Sequence, residues 1–288
     1  MESAPIPRTS PSSIDPGLER QYNLRLRHPE RTAVYERFAK SSADFRAATP
    51  ELRELRYGAG PRCVLDFFPA RGGSAAPLFV FIHGGYWRAL DHRIFSFLAK
   101  PWLARDVHVA MIGYDLAPSL SVRAIVAEVR AAMDFLRERA AIMSVDTRRI
   151  VIGGHSAGAQ LGASALSADP GWHARGFLGV SGVYDLVPLL ATSVNLDVRM
   201  SAADAIAASP IRQPAELRVR YLCAVGEAET DGFRAQTHAF AAEMQRQRCD
   251  ALSVEVAGRN HFDLLDDLAD DSHPLFLQAS GLLGIPSR

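Results

Sequence analysis

Seven short apolar runs recur along the chain from residue 62 onwards, separated by longer segments with helical spacing. Several runs are apolar at almost every position, which is typical of strands covered on both faces of a parallel sheet. The intervening segments 121–141 and 232–248 carry apolar residues three and four positions apart, which predicts amphipathic helices. This alternation predicts an α/β fold with helices on both faces of the sheet. The seven predicted strands span residues 63–68, 78–82, 107–114, 149–154, 176–182, 219–226 and 252–258.

The remaining segments lack this alternation. Residues 1–16 are polar and rich in Pro and Ser, without the apolar core of a secretory signal, and predict a flexible tail. Residues 18–47 mix charges with spaced apolar positions, which predicts helices lying on a surface. Residues 184–214 show no strand pattern and are interpreted as an excursion between strands, a candidate cap. Since no linker interrupts residues 17–288, we expect one domain there.

Composition narrows the classes of partner. Lys plus Arg and Asp plus Glu both number 32, so the net charge of zero offers no electrostatic reason to bind nucleic acid or an anionic membrane. The sequence contains no stretch of 18 consecutive apolar residues, so it predicts no membrane span. Three cysteines without CxxC spacing favour reduced thiols and a cytoplasmic location. We expect a small-molecule substrate as the partner and leave a homodimer open.

The segment GGHSAG at residues 153–158 contains the strongest chemical motif. It matches G-x-S-x-G, with Ser156 between a predicted strand and a helix rich in small residues. A serine at such a sharp turn is strained, and glycines two positions away on either side prevent collisions with the strand and the helix. A dinucleotide site is excluded because His155 occupies the position of the second glycine in G-x-G-x-x-G. Ser156 is therefore the predicted nucleophile.

A serine nucleophile needs a histidine and an orienting acid downstream of it. His261 follows the last predicted strand and is the preferred base, because His238 lies mid-helix, His273 begins a helix and His173 precedes a strand. For the acid, Glu229 follows the strand that ends at residue 226 and ranks first. Asp185, one strand earlier, remains the alternative.

The segment HGGYW at residues 83–87 follows another predicted strand. Bare glycine backbone there can bring N–H groups to a developing oxyanion, a stabilisation of about 3–4 kcal/mol per donor. We predict an oxyanion hole formed by the backbone N–H groups of Gly85, Tyr86 and Ala157, with Gly84 shaping the turn. His83 is expected to anchor this loop. Tyr86, Trp87 and Tyr184 are candidate pocket residues.

Taken together, HGGYW, GHSAG, SGVYDLVPL and NHFDLL resemble the kynurenine formamidase (arylformamidase) branch of the α/β-hydrolases, near the hormone-sensitive-lipase-like esterases. The likeness runs from about residue 17 to the end. It implies hydrolysis of an aryl formamide such as N-formylkynurenine, with small acyl esters as the alternative. Members of vertebrate type carry an aspartate as the acid, so Glu229 is a departure that keeps Asp185 open.

No metal or cofactor is expected. The acidic run at 263–271 lacks the glycine turn of a calcium loop and is interpreted as a solvated helix face. Asp91 and His92 form a similarly weak metal pattern. The sequence thus predicts a serine hydrolase, an enzyme. A non-catalytic binding protein of the same fold is the less favoured hypothesis, because binding alone does not require a nucleophile, a base and an acid together.

Overall fold

A single eight-stranded sheet organises the computed structural model, which describes residues 14–72, 75–167, 174–216 and 218–285. The strand order is β1-β2-β4-β3-β5-β6-β7-β8. Strands β3 to β8 are mutually parallel, whereas β2 pairs antiparallel with β4 and β1 antiparallel with β2. The strands are β1 Arg53–Arg56, β2 Val64–Phe68, β3 Ala76–Ile82, β4 His108–Ile112, β5 Val145–His155, β6 Gly176–Val180, β7 Arg220–Gly226 and β8 Ala251–Val256.

The predicted α/β fold and all seven predicted strands are confirmed. The eighth strand, β1, was not predicted, because its sequence RELR is polar and mostly exposed at the sheet edge. A strand of this kind gains its order from backbone pairing with β2, which hydrophobic patterning does not report.

Eleven α-helices surround the sheet in the described parts of the chain. The predicted helices at 121–141 and 232–248 are confirmed as α5 and α9. The helices are α1 Pro16–Tyr22, α2 Leu24–Arg27, α3 Arg31–Ala47, α4 Ala99–Leu103, α5 Val122–Glu138, α6 Ala157–Ser167, α7 Ser193–Val198, α8 Ala202–Ala207, α9 Asp231–Arg246, α10 Leu264–Leu268 and α11 Pro274–Leu282.

The core lies in two layers, one on each face of the sheet. In β3, Leu78, Val80 and Ile82 pack with α5, α6 and α9, whereas Phe79 and Phe81 pack with α3, α4, α10 and α11. Since successive side chains of a strand point to opposite faces, a strand buried on both faces must be apolar at every position. This explains the continuous apolar runs of the sequence.

The two segments without strand pattern contact each other. Between β6 and β7 the chain forms α7, α8 and the 3₁₀ helices Val187–Ala191 and Pro210–Arg212. Asp15 caps α1 with its side chain, and its backbone N–H donates to the Ala191 carbonyl oxygen at 2.8 Å. Of the predicted tail, residues 1–13 lie outside the described residues, whereas Asp15 and Pro16 begin α1. The His173 position also lies outside them. No helix in the described ranges is long and apolar enough to cross a bilayer.

Candidate active site

Ser156 occupies the sharp turn between β5 and α6. Its backbone adopts φ 56°, the left-handed region that a residue with a side chain rarely enters. The turn is held because the Ser156 N–H donates to the Val180 carbonyl oxygen of β6 at 2.8 Å. A Cβ atom at Gly158 would lie 2.0 Å from the Ile82 carbonyl oxygen, so only glycine lets α6 start this close to β3. The geometry is that of the strand–turn–helix predicted for a nucleophile.

His261 follows β8 and forms a buried pair with Glu229. Its Nδ1 lies 2.7 Å from Glu229 Oε2. Because the carboxylate accepts, the Nδ1–H donates, and Nε2 keeps the lone pair that a general base requires. His261 and Ser156 line the same pocket, and no hydrogen bond joins their side chains among the described residues. In enzymes without substrate, this contact commonly tightens only when substrate binds.

The second oxygen of Glu229 is held by two donors from neighbouring strands. Ser181 Oγ–H donates to Glu229 Oε1 at 2.5 Å, and the Gly226 N–H donates to the same atom at 2.9 Å. Ser181 directly follows β6 and has φ 52°, so its position resembles that of Ser156 one strand away. Sequence reasoning missed Ser181, although a polar residue ending a buried strand at the carboxyl edge was a usable signal.

The structure places Asp185, the alternative acid, away from the base. Its Oδ2 accepts from Arg212 at 2.8 Å, and its Oδ1 accepts from the Val187 N–H at 3.1 Å. These contacts fasten the start of the 3₁₀ helix Val187–Ala191. The geometry therefore favours Glu229 as the partner of His261.

His155, immediately before the serine, connects the turn to the histidine loop. Its Nε2–H donates to the backbone carbonyl oxygen of His261 at 2.8 Å. Burial, together with the nearby His261 ring, lowers the pKa of His155 well below its usual value. His155 therefore stays neutral at physiological pH and positions the His261 backbone.

The HGGYW loop has an unusual backbone at three consecutive residues. Gly85, Tyr86 and Trp87 have φ of 113°, 49° and 59°. A Cβ atom at Gly84 would lie 2.8 Å from the His155 carbonyl oxygen and 3.0 Å from Ser156 Cβ, so the loop packs directly on the serine turn. Within the described ranges, no hydrogen bond satisfies the N–H groups of Gly85, Tyr86 or Ala157. Three unpaired donors beside the candidate nucleophile Ser156 suit an oxyanion.

The side chains of His83 and Tyr114 fix the backbone of this loop by hydrogen bonds. The His83 Nδ1–H donates to the Gly84 carbonyl oxygen at 2.7 Å, and the Tyr114 hydroxyl donates to the His83 carbonyl oxygen at 2.7 Å. The two rings stack at 4.3 Å. Burial lowers the pKa of His83 to about 3, so its ring acts as a neutral anchor.

A cavity of about 180 Å³ opens at Ser156. Tyr86 lines it as predicted, and its hydroxyl donates to the Tyr22 carbonyl oxygen at 2.6 Å. The predictions for Trp87 and Tyr184 were wrong. Trp87 is fully buried with its indole N–H donating to Gln160 Oε1 at 2.7 Å, and Tyr184 is buried and stacks on Phe240 at 4.0 Å. Both rings complete the core instead of lining the pocket.

One group of side chains within the described ranges has the spacing of metal ligands. Ligand atoms of Cys63, Asp115 and Glu128 lie within 4.8 Å of one another. The two carboxylates already accept backbone N–H bonds, Asp115 from Arg62 and Glu128 from Asp115, each at 2.8 Å. None of the three lines the Ser156 cavity. The acidic run at 263–271 instead forms ion pairs, Asp266 with Arg37 and Asp267 with Arg259, each at 2.7 Å.

Comparison with known proteins places these features in a family. The family model BD-FAE matches residues 65–169, which contain the HGGYW loop and the serine turn. The kynurenine formamidase of Danio rerio is 29% identical over 80% of this chain and 81% of its own length. The crystal structure of a candidate thioesterase from Silicibacter sp. tm1040 is 32% identical, covers 88% of this chain and 92% of its own, and has a TM-score of 0.77.

The fold extends to more distant esterases. A thermostable carboxylesterase cloned from a metagenomic library superposes with a TM-score of 0.74 over 91% of this chain and 98% of its own. Its identity of 18% makes this a likeness of fold alone. The eight-stranded, mostly parallel sheet described above is accordingly the α/β-hydrolase fold.

Proposed function

The chain belongs to the kynurenine formamidase-like branch of the α/β-hydrolase superfamily, and from this premise we propose that it is a serine hydrolase acting on an aryl formamide such as N-formylkynurenine. One observation carries the proposal. One cavity is lined by the strained Ser156, by His261 of the 2.7 Å pair with Glu229, and by the loop residues Gly85 and Tyr86, whose N–H groups are unpaired in the described ranges. These are the parts that acyl transfer requires.

Acylation begins at the serine hydroxyl. Ser156 Oγ attacks the formyl carbon while His261 Nε2 takes its proton, and Glu229 stabilises the imidazolium through Nδ1–H. The carbonyl oxygen becomes an oxyanion that accepts from the N–H groups of Gly85, Tyr86 and Ala157. Because these donors are preset by the loop backbone, they need little reorganisation during the reaction.

Collapse of the tetrahedral intermediate breaks the C–N bond. His261 returns its proton to the departing nitrogen, which leaves as the aryl amine. Water then attacks the formyl-enzyme with His261 again as base, and formate leaves as Ser156 recovers its proton. Apart from this water, the proposed steps use only the side chains and backbone groups described.

Hydrolysis of small acyl esters is the second candidate function. The same nucleophile, base and donors act on an ester carbonyl, and the fold is shared with a carboxylesterase. Comparing kcat/KM for N-formylkynurenine with that for 4-nitrophenyl acetate separates the two. A preference for the ester by an order of magnitude or more would make esterase activity the main function.

Covalent labelling tests the catalytic assignment itself. We expect a fluorophosphonate to label wild-type protein at Ser156 and to leave Ser156→Ala unlabelled. Ser156→Ala is also expected to lose roughly 10⁶-fold in kcat while keeping the wild-type circular dichroism spectrum. Ser181→Ala is the control for labelling, since Ser181 has a similar backbone but faces Glu229. Labelling that persists in Ser156→Ala would point to another nucleophile, whereas wild-type protein that is not labelled at Ser156 would favour the non-catalytic binding protein.

We also propose that the protein works in the cytoplasm. Its three cysteines, Cys63, Cys223 and Cys249, are free and buried, which suits a reducing compartment. Fractionation of cells that express the tagged full chain would test this assignment.

A further inference from the structure

Three arginines line the cavity that holds Ser156. Arg25 and Arg31 come from the N-terminal helical segment, and Arg88 follows the HGGYW loop. The described residues that line the cavity include no acidic side chain. A cavity with three cations and no lining carboxylate favours an anionic ligand.

The guanidinium groups retain donors for such a ligand. Arg25 is exposed and makes no side-chain hydrogen bond or ion pair among the described residues. Arg31 uses Nη1 on the carbonyl oxygens of Arg25 and His28, at 2.9 and 3.1 Å, which fixes its direction. Arg88 pairs through Nη1 with the exposed Asp197, and its buried Nε has no partner.

The three cations act on one another and on the pocket. Burial lowers the pKa of Arg88, and the positive charge of Arg25 lowers it further, with Glu19 opposing this effect. Burial raises the pKa of Tyr35 to about 12, although Arg31 and Arg25 both act to lower it. The arginines thus share one local field, in which a bound anion would relieve their repulsion.

We propose that Arg25, Arg31 and Arg88 form an anion site that selects substrates bearing a carboxylate on the aryl leaving group. This inference rests on the proposed function for the position of the scissile bond at Ser156. Tyr35, Tyr86 and Phe262 line the same cavity and supply an aromatic wall for the ring. Guanidinium groups bind carboxylates through charge-assisted, commonly bidentate hydrogen bonds. The site thereby specifies the charge of the substrate and not the bond that is cleaved.

The test uses two aryl acetates that differ only in charge, 3-acetoxybenzoate and 3-acetoxybenzamide. Release of the phenol yields kcat/KM for each, and their ratio reports recognition of the carboxylate. We expect Arg25→Gln to lower the benzoate-to-benzamide ratio by about tenfold, and Arg25→Glu to lower it further. Raising the ionic strength should lower the benzoate-to-benzamide ratio of the wild type, because salt screens the attraction between the carboxylate and the arginines.

Arg27→Gln is the matched control, because Arg27 belongs to the same helix but does not line the cavity. Its ratio should equal that of the wild type. Since Arg25 is exposed, its replacement leaves the core intact. A wild-type ratio in Arg25→Glu, whether or not both rates fall, would overturn the anion site.

The ester pair needs only an active serine, so it is independent of formamide hydrolysis. If no aryl formamide is cleaved while the ester ratio still depends on Arg25, the formamidase proposal fails and the anion site stands. If formate is released but the ratio ignores Arg25, the anion site fails alone.

Discussion

At the scale of single residues, several members of the candidate active site have a strained backbone. Ser156, Tyr86 and Trp87 all adopt positive φ although they carry side chains. Each such residue costs of the order of 1–3 kcal/mol and persists only when surrounding packing enforces it. Here the enforcing contacts are the close approach of α6 to β3 and the burial of the Trp87 ring. The proposed nucleophile and the proposed oxyanion donors are therefore preset before substrate arrives.

The identity of the acid is the sharpest prediction at this scale. Glu229→Gln should lower kcat by about 10⁴-fold, because a neutral amide cannot hold the correct tautomer of His261 or stabilise its imidazolium. Asp185→Asn should stay within a few fold of wild type, since Asp185 contacts Arg212 and not His261. Steady-state kinetics of the two variants measure this, and the reverse order would make Asp185 the acid.

At the scale of elements, a buried ion pair joins α3 to the sheet. Asp66 of β2 is fully buried and pairs with Arg46 of α3, while His92 Nε2 lies 3.3 Å from the same carboxylate. Burial by itself raises the pKa of Asp66, but His92 and Arg46 lower it by more, so the net shift is downward. The attachment of α3 to β2 thus includes an ionised Asp66.

This ion pair makes the free energy of unfolding depend on pH. Because the folded pKa of Asp66 is lowered, its contribution is complete above about pH 4, the unfolded value, and is lost as pH falls through the folded pKa. Asp66→Asn should cost about 3–5 kcal/mol at pH 7, since Arg46 and His92 lose their buried partner. Urea unfolding of both proteins measures the difference, which should shrink towards pH 2.

The exposed pair between Asp44 and Lys40 provides the control. Both side chains are more than half exposed, so Asp44→Asn should change the free energy of unfolding by less than about 1 kcal/mol. A difference between wild type and Asp66→Asn that is constant from pH 7 to pH 2 would contradict the assignment to Asp66 ionisation.

At the scale of the whole molecule, the N-terminal segment is fastened across the site by bonds to three separate regions. The Tyr22 carbonyl oxygen accepts from the Tyr86 hydroxyl at 2.6 Å, and the Gln21 carbonyl oxygen accepts from the Thr230 hydroxyl at 2.8 Å. Glu19 accepts from Ser193 Oγ at 2.6 Å. The HGGYW loop, the loop that carries Glu229 and Thr230, and the excursion between β6 and β7 therefore all hold one wall of the cavity.

Removing one fastening should loosen this wall. Tyr86→Phe deletes the hydrogen bond to Tyr22 but keeps the Tyr86 N–H. We therefore expect the opening of residues 16–27 to become roughly fivefold more frequent, which corresponds to a loss of about 1 kcal/mol in the free energy of opening. Hydrogen exchange of that segment measures the change. Tyr57→Phe is the control, because the Tyr57 hydroxyl binds the Gly113 carbonyl oxygen instead. Equal exchange of residues 16–27 in Tyr86→Phe and wild type would show that this bond does not hold the wall.

Local rules in the sequence determined seven of the eight strands described in the sheet, the serine turn and the HGGYW loop. Strand periodicity follows from which faces are covered, and G-x-S-x-G follows from steric limits within a few residues of the serine. Both effects act over short distances along the chain, so they can be read without knowing the fold.

Tertiary structure alone decided which distant side chains share a site. The support of Glu229 by Ser181 spans 48 residues, and the gathering of Arg25 and Arg88 at one cavity spans two separate segments. The same packing places the rings of Trp87 and Tyr184 in the core and not in the wall of the cavity. An aromatic or a charged residue has the same local preferences in a pocket wall, in a core or on a surface. Its role is set by what the rest of the chain packs against it, and that information is not local.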